Sequence, residues 1–428
     1  MLSKINWKSD LVKPIMILTS GTLLAQSVSY LLSPVITRLY SPEEFGFFGI
    51  IMRIVAFVAV IGAARYEYAI PLPKKDKHAF QIYRITLRIL VWTVFLSFLS
   101  GGIYWLVVNQ TSSFLIYMVF TVLIIAFTVF NNIGRHWAIR TKAFRKISIA
   151  ALFTSIFTNG AKLITGLASF GVIGLVISTV LGLFFGGLVY LFEALGLFRN
   201  TSFKNSPLQR AVLARQYRDF PRINLPHTLI DAGRELMIAF FLTWYLSAEI
   251  FGSYDHSFRM LKIPLILIGA SIGQVLYNKM SEKFAANEPL YELLKKSILT
   301  LIIIGIIPFT VIFIWGAPIF SFVFGEQWEL AGEIAAAIAP WLMANFVASS
   351  ISMVPNVIGE LRWFFWVGLT ITSLQLLCFG FLPQLMSYFE VNEVTLIAGI
   401  SWLMFALFFG LTYWMLVRVQ QVDRKVVK

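Results

Sequence analysis

Apolar runs of about 20 residues recur along this chain, and a run of that length forms an α-helix long enough to cross the ~30 Å hydrocarbon layer of a bilayer. The runs lie near 14–37, 46–70, 85–108, 113–133, 147–168, 171–195, 221–246, 253–278, 297–315, 331–355, 363–385 and 394–417. They lack the residue-by-residue alternation of barrel strands. With 58% hydrophobic and only 13% charged residues, the 428-residue chain has no room for a large soluble domain. The pattern predicts an all-α polytopic membrane protein of about twelve transmembrane helices, because a helix satisfies every backbone group within its own segment. No cleavage site follows the first run, which predicts an uncleaved first span.

Charge orders the loops. One alternating set holds Lys74, Lys75 and Lys77, then Arg135, Arg140, Lys142 and Arg145, then Arg199, Lys204, Arg210, Arg215 and Arg218, then Lys279, Lys283, Lys295 and Lys296. The opposite set carries Arg38 with Glu43, Glu44, Glu249, Glu326, Glu329, Glu390 and Glu393. Basic loops stay on the cytoplasmic side, so both termini are expected inside. The same distribution explains the net charge of +14 and excludes a nucleic-acid partner. The longest basic loop contains Asn200, Asn205, Ser206 and Pro207 and reads as a linker. The expected organisation is a six-helix lobe over 1–198, a cytoplasmic linker over 199–220 and a second six-helix lobe over 221–428. Six spans is an even number, so the lobes are parallel repeats around a central cavity.

The repeat is visible in residues. Ser41, Glu43, Phe45, Gly46 and Arg53 recur as Ser247, Glu249, Phe251, Gly252 and Arg259, all at an offset of 206. An arginine at the centre of a membrane helix costs roughly 3 kcal/mol on insertion scales, so its presence in both copies marks a shared task. Other charges inside the runs are Arg65, Glu67, Lys162, Asp231, Arg234, Glu235, Asp255 and Lys262. Asp255, Arg259 and Lys262 share a helix face with His256, and Asp231, Arg234 and Glu235 share another. Two readings stand side by side. In one, Arg53, Arg259, Lys262 and Arg234 line a wet basic cavity and bind substrate, while Asp231, Glu235 and Asp255 couple an ion or pair with them. In the other, these charges neutralise one another and hold helices together. Asp231 and Arg259 reach similar depth and are expected to pair. Arg65, Glu67 and Lys162 lie near span ends, where a structural role is expected, as do Glu43 and Glu249 at helix starts.

No catalytic constellation is present. His78, His136, His227 and His256 are scattered without metal-ligand spacing, Cys378 is the single cysteine, and no phosphate-binding glycine loop occurs. The expectation is therefore a non-enzyme without metal or cofactor.

The segment from Gly21 to Arg53, with Thr37-Arg38-Leu39-Tyr40-Ser41-Pro42-Glu43-Glu44-Phe45-Gly46 at its centre, resembles the polysaccharide flippases of the MOP superfamily. Arg65-Tyr66-Glu67-Tyr68-Ala69-Ile70-Pro71-Leu72-Pro73 looks like the end of span 2 in O-antigen (Wzx-type) flippases. The resemblance implies a bacterial inner-membrane protein that moves undecaprenyl-pyrophosphate-linked oligosaccharide to the periplasmic leaflet by alternating access. It also implies membrane lipids, a polysaccharide polymerase and a chain-length regulator as partners. The related lipid II flippases carry cavity arginines in spans 2 and 8, where Arg53 and Arg259 stand. Span 1 here offers Gln26, Ser27, Ser29, Tyr30 and Ser33 without charge, which favours a surface-polysaccharide repeat unit. On this reading Arg53 and Arg259 clamp the pyrophosphate with their guanidinium forks. The rival readings are a cation-coupled multidrug or small-molecule exporter of the same superfamily and a membrane-embedded glycosyltransferase or polymerase.

Overall fold

Helices of 20 residues or more account for every expected span. The computed structural model describes residues 12–108, 110–199 and 206–426. The long helices are α1 (Val12–Leu39), α2 (Pro42–Ile61), α3 (Asp76–Val107), α4 (Ser112–Arg140), α5 (Phe144–Leu167) and α6 (Gly171–Arg199), then α8 (Leu225–Tyr245), α9 (Ala248–Ala285), α10 (Tyr291–Phe324), α11 (Glu329–Ser350), α13 (Leu361–Gly380) and α15 (Glu393–Val426). Three short helices intervene: α7 (Pro207–Gln216), α12 (Val354–Ile358) and α14 (Leu382–Phe389). Among the described residues, nine helical stretches are long and apolar enough to cross a membrane. The terminal residues 1–11 and 427–428, to which a cytoplasmic side was assigned, lie outside the described residues.

Span 2 is shorter than its apolar run suggests. The helix ends at Ile61, Ala64 and Arg65 take positive φ of 48° and 62°, and a 3-10 turn follows over Tyr66–Ala69. Left-handed backbone is unfavourable for residues with a Cβ, so neighbours must hold it. Arg65 donates to the Tyr68 hydroxyl at 3.3 Å, and Arg140, at the end of α4, ties down the segment that follows. It donates to the Pro73 carbonyl at 2.7 Å and to Asp76 at 2.7 and 3.0 Å. Arg65 and Glu67 sit in this turn 3.6 Å apart, the structural pairing expected of them.

The chain forms two compact units. One comprises the residues up to Tyr40 together with Phe47–Leu236, and the other comprises Ser41–Gly46 with Met237 onward. In the first, α5 packs on α1 and α6, and α4 packs on α3 and α6. Small and polar residues make these contacts close. A Cβ at Gly182 or Gly186 of α6 would overlap the hydroxyl of Thr158 or Thr154 on α5. Asn159 donates to Ser29 at 2.9 Å, and Ser155 donates to the Ala25 carbonyl at 2.6 Å, so Ser29 of α1 serves the packing on α5. In the second unit α11 is the central helix, packed on α9, α10 and α15. Its alanines 331, 335, 339 and 348 are buried, and Gly332 meets Gly316 of α10 backbone to backbone. Contacts between third and fourth and between fourth and sixth long helices recur in both units.

The duplicated motif is a helix start. Ser41 accepts from Glu44 N at 3.2 Å while Glu44 accepts from Ser41 N at 2.8 Å, a reciprocal capping box. Ser247 accepts from Ile250 N at 3.1 Å. Glu43 and Glu249 stand in the first turns, where a negative charge suits the helix dipole. Within the second unit the two copies touch. A Cβ at Gly46 would overlap the Ala248 carbonyl oxygen, and one at Gly252 the Pro42 carbonyl oxygen.

Candidate functional site

Arg53 lies eleven residues into α2, roughly 16 Å along the helix and near the middle of a ~30 Å layer. It is not left without a counter-charge. Its guanidinium lies 3.2 Å from a carboxylate oxygen of Glu235, at the middle of α8. Arg234 reaches the other oxygen of Glu235 at 3.1 Å. All three side chains are one-quarter exposed. One carboxylate is thus held between two guanidiniums inside the first unit. Asp231, one turn earlier on α8, is exposed.

The second copy solves the same problem within one helix. Arg259 pairs with Asp255 one turn back on α9; Asp255 is buried and Arg259 partly exposed. Lys262 stands one further turn along, with its Nζ 4.4 Å from the centre of the Phe258 ring, close enough for a cation–π contact. Asp231, expected to pair with Arg259, belongs to the first unit, and the carboxylate seen on Arg259 within the second unit is Asp255. His256 is buried in an aromatic cage, 4.5 Å from Trp328, 4.7 Å from Phe324 and 6.0 Å from Phe45 between ring centres. Beside it Ser257 donates to the Ala331 carbonyl at 2.5 Å. Lys162 lies near the end of α5 with its Nζ 4.9 Å from the centre of the buried Phe48 ring, a cation–π contact.

The site residues seen in the sequence therefore fall into a triad, Arg53–Glu235–Arg234, and a pair, Asp255–Arg259, with Lys262 and Asp231 beside them. The i, i+4 spacing of Asp255 and Arg259 was legible. The bond from Glu235 to Arg53 was not, since nothing in the sequence says which face of α8 meets α2. Chemically, each arrangement is a carboxylate whose charge can be taken up by an arginine or by an incoming cation. Among the described residues no group of His, Cys, Asp and Glu is arranged to hold a metal ion.

A family model described as "Polysaccharide biosynthesis protein" matches residues 35–333. No curated protein matches. Among solved structures, the chain is similar to the inward-facing conformation of a multidrug resistance MATE family transporter of the MOP superfamily, with TM-score 0.59 and 14% identity over 96% of this chain and 98% of that one. It is also similar to a MATE protein in complex with MaD5, with TM-score 0.56 and 17% identity over 96% and 95%. The outward-facing MATE transporter gives TM-score 0.52 and 15% identity over 97% and 96%. The fold is thus that of the two-lobe MATE-like transporters.

These matches overturn the expectation of an undecaprenyl-pyrophosphate-oligosaccharide flippase. The full-length structural likeness is to multidrug transporters. Arg53, Arg234 and Arg259 are moreover each matched to a carboxylate, so a repeated arginine does not by itself make the interior select an anion.

Proposed function

This chain belongs to the polysaccharide biosynthesis protein family, and from that premise we propose that it is a cation-coupled exporter of small molecules. Family and fold make it a polytopic, non-catalytic membrane transporter of the MOP superfamily in the bacterial inner membrane. Within the superfamily, Arg65–Pro73 carries a likeness to Wzx-type members; we take this as kinship and not as a statement of cargo.

The observation that supports coupling is the carboxylate ladder of α8. Glu235 is gripped at 3.2 and 3.1 Å by Arg53 and Arg234, and Asp231 is exposed one turn away. A proton or sodium ion arriving at Asp231 and passing to Glu235 neutralises the carboxylate and releases the guanidiniums. Its departure restores the pairs. Asp255 and Arg259 provide a second switch of the same kind on α9. With the cytoplasm negative, each cation moving inward yields about 2.3 kcal/mol per 100 mV to drive solute outward.

The test is accumulation of a panel of amphipathic fluorescent cations, ethidium included, in proteoliposomes under an imposed proton or sodium gradient. One gradient is expected to drive accumulation, and Asp231→Asn to remove the gradient-driven part. Accumulation that ignores both gradients would overturn coupling. Coupling undiminished in both Asp231→Asn and Asp255→Asn would overturn the choice of carboxylates.

A further inference from the structure

A second feature of the molecule is independent of the transport reading. A cavity of about 640 Å³ opens within the second unit among α10, α11 and α15. Its walls are apolar, with Ile302, Ile306, Met343 and Phe405 along its length. Lys295 is the only charged side chain in the lining. It stands at one end beside Tyr291, its Nζ 5.9 Å from that ring. Among the described residues Lys295 forms no ion pair. The rim is equally apolar and open: Leu299 is 48% and Ile306 51% exposed.

Three considerations decide what fills it. A water-soluble ligand would leave its polar groups without partners along such walls, at a penalty of roughly 2 kcal/mol or more for each. The rim residues lie on a membrane-spanning helix, so the surroundings that fill the cavity are hydrocarbon. The end marked by Lys295 is in the basic, cytoplasmic loop set, and the cytoplasmic leaflet carries anionic lipid. From Lys295 to Phe309 the helix advances fourteen residues, roughly 21 Å, which exceeds the ~15 Å thickness of one leaflet's hydrocarbon.

We infer that this groove is a binding site for one anionic phospholipid of the inner leaflet, its acyl chain between α10, α11 and α15 and its phosphate at Lys295. Tyr291 lines the same end of the cavity as Lys295, where an amphipathic ring suits head-group level. The contribution of one lysine to an anionic head group is about 1 kcal/mol, or about a fivefold preference over a zwitterionic lipid.

The experiment places photoreactive benzoylphenylalanine at Ile306 in the full chain. The protein is reconstituted in vesicles of phosphatidylethanolamine and phosphatidylglycerol of known ratio and irradiated. Adducts are then identified by mass. Phosphatidylglycerol is expected about fivefold above its bulk share, and Lys295→Gln is expected to return adducts to the bulk ratio. Bulk-ratio adducts without the Lys295 change would show ordinary surrounding lipid and overturn the site. Enrichment that survives Lys295→Gln would overturn the role of the lysine, and a cross-linked dimer in place of lipid adducts would assign the groove to a second copy of the chain.

Discussion

Replacing Glu235 by glutamine leaves the shape of α8 intact and removes the one negative charge between Arg53 and Arg234. The magnitude follows from exposure. Breaking a fully buried ion pair costs about 3–5 kcal/mol, whereas an exposed pair is worth about 0–1 kcal/mol. At one-quarter exposure, with contacts of 3.2 and 3.1 Å, the expected loss lies between these limits, about 2 kcal/mol. For a unit of about 200 residues this lowers Tm by about 4–8 °C. Arg53→Gln alone leaves Glu235 its contact with Arg234 and should lower stability less, by about 1 kcal/mol. The decisive variant is the double change Arg53→Gln with Glu235→Gln. If the two groups act through each other, the double variant should be more stable than the sum of the single losses by about 1 kcal/mol. Thermal unfolding of the purified protein in detergent, followed by tryptophan fluorescence, measures all three. Additive losses would refute the pairing and remove the structural basis for coupling through Glu235.

Two further outcomes test the packing and the loop. Gly46→Ala should destabilise by about 1–3 kcal/mol, because its Cβ meets the Ala248 backbone carbonyl, whereas Gly160→Ala in α5, with open space around it, should be neutral or stabilise by up to about 1 kcal/mol; folded yield on fluorescence-detected gel filtration separates them. Glu67, buried in the turn after α2, has its carboxyl pushed up by burial, a rise only partly offset by Arg65. Its folded-state value thus exceeds the unfolded one, so the stability linked to its proton is complete below the ordinary carboxylate range and is lost as pH rises through the raised value. Glu67→Gln should accordingly raise Tm at pH 8 and leave it unchanged near pH 4, and a pH-independent shift would count against burial as the cause.

The twelve long helices were legible because a bilayer demands about 20 apolar residues per helix, and that demand is written in consecutive residues, although nine of the described stretches meet it by length and composition. The breaks that do not depend on hydropathy were not. Ile61 ends α2 although the apolar run continues: the chain turns there through two positive-φ residues, Ala64 and Arg65, and Arg140 of another helix ties down the segment after them. Helix α7 carries four charges or amides in ten residues and reads as linker, yet Ser206 caps it through Gln209 N at 3.3 Å.

What the sequence by itself determined is the set of charges that had to be accommodated in hydrocarbon, and their duplication at an offset of 206. An ionised side chain in an apolar run is costly wherever it sits, so its presence alone carries information. What only the tertiary structure decided is how each was neutralised. Asp255 and Arg259 meet within one helix by the 3.6-residue repeat. Glu235 meets Arg53 only because α8 turns that face toward α2, and the rotation of a helix about its own axis is set by the packing of its neighbours.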